Sequence, residues 1–264
     1  TRVFTSPTTG EPVARIALGT PQDVDAAVAA ARRALPEVAG LGVDARAALL
    51  NATAARLRAR ADELAEMLAL EHGKTRYHDA PGEIEASAGA LEAGGAQARW
   101  LTEFHYPLST PGKRLITHRR PRGVYGVLTP WNFPLAIFTQ YYLGPGLAAG
   151  NTMVWVGSPS VNGVHAVLAE IVNQVWPTGT LNFITGDGAV VGQAVAGHPD
   201  VDAVRVTGSS KVAKQVMIAA AGKPSFIEAG GNGPTIVLAD ADIARAARCI
   251  AMGSFTNAGQ ICTS

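Results

Sequence analysis

The chain has 264 residues, 47% of them hydrophobic and 16% charged, with 22 Lys+Arg against 21 Asp+Glu. That supplies a substantial core, and a balanced charge without a basic stripe excludes a nucleic-acid surface. No apolar run is long enough to span a membrane and the N-terminus has no signal-peptide core, while two cysteines too few for a disulfide framework or a zinc pattern point to a reducing cytoplasm.

Residues 2–19 read as extended structure around a Thr8-Thr9-Gly10-Glu11-Pro12 turn. Thr20, Pro21 and Asp23 form a helix start with a capping box. A second helix is predicted from near Asp44, with Leu50, Ala54, Leu57, Ala61, Leu64 and Leu68 on one face and Gly73 as its stop. Arg56, Arg58, Arg60 and Glu63 read as a solvated face. A third helix runs from about Pro81 to Trp100. The Pro- and Gly-containing stretch 102–122 reads as a protruding two-stranded ribbon.

From Gly123 onward short apolar runs alternate with helical ones. The runs are Val124–Leu128, Met153–Val156, Leu181–Ile184, Ala203–Val206, Ser225–Ile227 and Ile236–Leu238. Strands alternating with helices predict an α/β fold, a parallel sheet with helices on both faces. The chain starts at Thr1 rather than Met, so its start is expected to have been removed.

Four short segments hold residues suited to chemistry. Cys262 follows a predicted helix at 244–255 and the small residues Ala258 and Gly259, the open approach a nucleophilic thiolate needs. Cys249, mid-helix among alanines, reads as a small buried core residue. Glu228 ends a strand before Ala229-Gly230-Gly231, where α/β proteins bind ligands, and partial burial would tune it toward a general base. Asn132, in Pro130-Trp131-Asn132-Phe133-Pro134, can cap the following helix with its oxygen and keep its NH2 free for an oxyanion. Thr207-Gly208-Ser209 opens a helix whose free N–H groups suit a pyrophosphate. The second glycine turn, with Gly188 and Gly192, departs from the Rossmann spacing.

In this order, these pieces resemble the NAD(P)-dependent aldehyde dehydrogenase superfamily. The most specific element is the pairing of Glu228-Ala229-Gly230-Gly231 with Gly259-Gln260-Ile261-Cys262. The resemblance implies a Rossmann-like NAD(P)-binding domain over 1–101 and 123–231, an oligomerisation ribbon over 102–122, and the incomplete start of a catalytic domain over 232–264. It implies oxidation of an aldehyde to a carboxylic acid with NAD or NADP. Cys262 would form a thiohemiacetal and then a thioester, Asn132 and the Cys262 N–H would hold the oxyanion, and Glu228 would activate the hydrolytic water. Thr129, Pro130, Trp131, Ser158, Gly188, Gly192, Thr207, Gly208, Ser209 and Gly230 would contact the cofactor. No metal is implied. The partners would be a small aldehyde and further copies of the chain, as a dimer or tetramer.

Three departures from the family pattern stand out. Members are about twice this length, beyond the usual single-domain size, so this chain alone is expected to be inactive. Val156 takes the place of a ribose-binding lysine and Pro159 that of an NAD-selecting glutamate, which predicts weak discrimination between NAD and NADP. Val156→Lys should then tighten binding if that side chain points into the site. Trp131 to Pro145 is one residue longer than usual, and an extra residue in a helix forms a π-bulge. A non-catalytic homologue that keeps the scaffold is the alternative reading. A cysteine hydrolase would need a histidine beside Cys262, and no feature of the sequence selects one.

Overall fold

A computed structural model describes residues 1–263. The N-terminus forms an antiparallel hairpin of β1 (Arg2–Thr5) and β2 (Pro12–Ile16). Helix α1 (Pro21–Gly40) opens with the predicted box: Thr20 Oγ1 accepts from Asp23 N, and Asp23 Oδ2 accepts from Thr20 N at 2.8 Å. The Thr20 N–H and hydroxyl, both donating to Oδ2, hold the Asp23 carboxyl below its ordinary value.

The single helix predicted from Asp44 to Gly73 is two. α2 (Val43–Ala59) and α3 (Ala61–Glu71) break at Arg60, which has φ −107° and ψ 22°. Leu57, Leu64 and Leu68 enter the same core on both sides of the break, so apolar spacing alone does not register the bend. The charges are also more than a solvated face. Arg60 pairs with Glu63 and with Glu170, and Arg58 with Glu85 and Glu92.

Helix α4 (Asp79–Ala98) crosses this layer, and the ribbon β3 (Phe104–Pro107) and β4 (Arg114–Thr117) follows as a separate antiparallel pair. The sheet strands are β5 (Val124–Leu128), β6 (Thr152–Val156), β7 (Leu181–Ile184), β8 (Ala203–Gly208) and β9 (Ser225–Ala229). Between them run α5 (Gly144–Ala148), α6 (Asn162–Asn173), α7 (Gln193–Gly197) and α8 (Ser210–Ala219). All five strands are parallel, in the order β7-β6-β5-β8-β9. Alternation along β6 sorts its residues: Met153 and Trp155 face α2, α4 and α6, while Val154 and Val156 join Val24, Val28 and Val195 on the α1 and α7 side.

A π-helix spans Phe138–Leu143, directly before α5. Close approach fixes its end: a Cβ on Gly94 of α4 would meet the Gly144 backbone at 2.9 Å.

Two expectations fail beyond β9. Ile236–Leu238 is not a strand, and Ile236 is 81% exposed. β9 closes the sheet, and no described strand pairs with 236–238 to supply ladder bonds. The last helix, α9 (Ile243–Phe255), buries no residue, and Cys249 is exposed rather than in a core. Small residues at helical spacing look the same whether or not a second layer covers them.

Candidate active site

Sheet order reverses between β5 and β8: the chain runs from β5 outward to β7, then returns to the other side of β5. Loops after neighbouring strands diverge there and leave a crevice at the strands' C-terminal ends. Pro130–Asn132 forms one wall and Thr207–Ser209 the other, with Gly230 and the 259–262 turn closing the space.

The crevice is a cavity of about 400 Å³ whose walls include Trp131, Asn132, Thr207, Gly208, Gly230 and Cys262. A second cavity of about 600 Å³ is bounded by Phe133, Gln140, Tyr141, Glu228, Asn257 and Cys262. Thr207, Ile261 and Cys262 line both, so Cys262, exposed and with a free thiol, borders the two cavities.

Pro130, Trp131, Asn132, Thr207, Gly208, Ser209, Gly230 and Cys262 therefore meet around the first cavity. Glu228 meets Cys262 in the second. Glu228 is exposed, not partly buried as anticipated: no described element covers β9 at that position, on the outer edge of the sheet. Asn132 does not cap a helix, since residues 131–135 form a bend ahead of the next helical turn. Nor is its NH2 wholly free: Nδ2 donates to the Gln260 carbonyl at 2.9 Å, which engages one of its two hydrogens.

Four residues read from the sequence lie outside the cavity. Thr129 is buried and its hydroxyl accepts from Trp155 Nε1 at 2.8 Å. Ser158 caps a short turn after β6. Gly188 and Gly192 bound a helical turn after β7, where a Cβ on Gly192 would meet Leu128 Cδ2 at 2.9 Å, so packing accounts for that glycine. Val156 is 3% exposed within the second apolar cluster. Its side chain does not open onto the crevice, so the condition set for Val156→Lys is not met.

The first cavity fits a dinucleotide in its donor set. Ser209 caps α8 by accepting from Val212 N, and a Cβ on Gly208 would meet nothing nearer than 3.8 Å, leaving room at the helix N-terminus. A Cβ on Gly230 would meet nothing within 4 Å. Tyr142 bonds Thr207 through its hydroxyl, and burial pushes its phenol upward.

Sequence reasoning missed the residues beneath the loops. Lys74 and Glu83 are buried, and His72 beside them is held down to about 4 by burial and by Lys74. A signal existed for Glu83. It falls between Ala80 and Ser87 on the buried stripe of α4 that continues to Leu91, a charge where the pattern wants an apolar side chain.

The aldehyde dehydrogenase family model matches residues 2–264. A chloroplastic betaine aldehyde dehydrogenase of Beta vulgaris is 37% identical over 98% of this chain and 54% of its own length. Among solved structures, PnpE in complex with nicotinamide adenine dinucleotide superposes at a TM-score of 0.94 with 35% identity, over 99% of this chain and 54% of that one. An E. coli NADP-dependent enzyme does so at 0.94 with 34% identity, over 98% and 54%. The chain thus spans about half the length of the curated relatives it matches.

Proposed function

The chain belongs to the aldehyde dehydrogenase family, and from that premise we propose that it carries the nucleophile and cofactor crevice of an enzyme oxidising a small aldehyde to a carboxylic acid with NAD or NADP. One observation carries this reading: Cys262 stands in the wall between two cavities at the sheet's switch point. The dinucleotide belongs in the cavity at Gly208, Ser209 and Gly230, and the aldehyde in the chamber with Phe133, Tyr141 and Glu228.

Cys262, as thiolate, attacks the carbonyl carbon. A C–S bond forms and the carbonyl π electrons move to oxygen. The free hydrogen of Asn132 Nδ2 and the Cys262 backbone N–H stabilise that oxyanion. When bound, the nicotinamide supplies a hydride acceptor, which leaves the substrate as a thioester on Cys262. Glu228, open to solvent in the same chamber, takes a proton from the water that adds to the thioester. The C–S bond then breaks, releasing the acid and regenerating the thiolate.

Cys262→Ala in the native protein abolishes aldehyde-dependent cofactor reduction while cofactor binding persists, measured by absorbance and by calorimetry. Unchanged turnover would sink the assignment. Glu228→Gln leaves an initial burst of reduced cofactor followed by a steady state slower by about 10²- to 10⁴-fold. A vanished burst would place Glu228 earlier, as the base that activates Cys262.

Residues 1–101 and 123–231 act as the cofactor domain, and 232–264 contribute the nucleophile to a catalytic domain. The ribbon presents Phe104, Tyr106, Leu115 and Ile116 to solvent, which supports a role in homo-oligomer formation. A reducing, cytoplasm-like compartment suits two free thiols.

A further inference from the structure

A buried ion pair lies beneath the two loops that meet at Cys262. The Lys74 and Glu83 side chains are each 1% exposed, with Nζ 3.0 Å from Oε2. Glu83 Oε1 accepts from Leu135 N at 2.9 Å and Ala136 N at 3.0 Å, anchoring the segment that follows Asn132. Lys74 Nζ lies 4.3 Å over the Phe133 ring and donates to Asn257 Oδ1. Asn257 Nδ2 in turn donates to the carbonyls of Asn132 at 2.9 Å and Gln260 at 3.2 Å.

This linkage has a specific load to carry. Asn257 and Ala258 have φ of 54° and 55°, left-handed values that cost non-glycine residues on the order of 1 kcal/mol or more each. The turn they form delivers Gln260 to Asn132 and leads to Cys262. α9, which precedes it, buries no residue, and Asn257 is the one buried residue described from 230 to 263. Asn257 is thus the turn's buried tie to the body, beside the bonds that Gln260 accepts from Trp131 Nε1 at 3.0 Å and Asn132 Nδ2 at 2.9 Å. Buried ion pairs add little net stability over packed apolar residues. This pair is placed to fix geometry.

We propose that Lys74, braced by Glu83, is a positioning residue for Cys262. Acting through Asn257, it holds the nucleophile turn in register with the loop that carries Asn132. The proposal rests on the aldehyde-oxidising reading of Cys262 given above.

Two changes in the native protein test it, singly and combined. Asn257→Gly keeps the left-handed backbone and removes the side chain. Lys74→Met with Glu83→Gln removes both charges, leaving none buried alone. The readouts are amide hydrogen exchange and the burst of reduced cofactor in the first turnover. Each change speeds exchange by about tenfold or more in both 256–263 and 130–136. Each slows the burst on the order of a hundredfold, as an ångström-scale misplacement does, with little change in the aldehyde KM. Combining them adds no further loss, because both cut one linkage. Unaltered exchange in either loop, an unaltered burst, or losses that multiply would overturn the proposal. If the wild type oxidises no aldehyde, the functional reading fails, and the exchange result decides the linkage by itself.

Discussion

The sheet body and the segment after it are built from similar residues and held by different forces. In the body, Trp155 is fully buried, stacks on Phe138 at 3.8 Å and bonds Thr129, and apolar clusters fill both faces of the sheet. In residues 230–263, Ile236, Leu238, Ile243 and Phe255 are all exposed, and the buried residue is an asparagine. Among the described residues, burial is concentrated in the sheet body, and the turn that carries the proposed nucleophile is joined to that body by hydrogen bonds.

Four measurements would break or sharpen that contrast, beginning with the largest. Trp155→Ala should cost about 3–5 kcal/mol in denaturant unfolding, from lost burial and a cavity that relaxes only partly. A cost comparable to that of a surface change would remove the distinction. Acid should act next, and on the body. Burial holds His165 down to about 3 and His72 to about 4, from an ordinary 6.5. The unfolded chain takes up these protons below about pH 6.5 while the folded one refuses them. Stability is therefore full above that pH and is lost as pH falls, through about 4 for His72 and about 3 for His165. His165→Phe should flatten the slope.

In the later segment, Phe255→Ala removes a ring that is 78% exposed and should move stability by no more than about 0.5 kcal/mol. A larger loss would mean that something covers α9. Cys249→Ala, on the same helix, should change neither unfolding nor turnover, a null result that peptide-level alkylation can pair with the sensitivity of Cys262.

Legibility in the sequence follows the same divide. Strands β5 and β7 fall where apolar runs predicted them, and the Thr20 box is present atom for atom, because such signals are local. The break at Arg60 was hidden because both helices point leucines into one core. Beyond β9 the pattern misleads: Ile236–Leu238 and Cys249 carry apolar character without a buried surface to receive it. For the candidate site, the sequence pointed to the residues around Cys262 but not to Lys74 or Asn257. Their pairing spans most of the chain and leaves no periodic trace. Asn132 was picked out for its amide, yet only the fold shows that Gln260 engages part of it.

That Cys262 borders two cavities has a consequence for timing. If each reactant has its own door, neither queues behind the other. In the proposed reaction the spent cofactor can leave by the Trp131 side while the acyl group still occupies the Tyr141 side, so exchange on one flank and hydrolysis on the other are free to overlap. Turnover is then paced by the slower of two parallel clocks rather than by their sum.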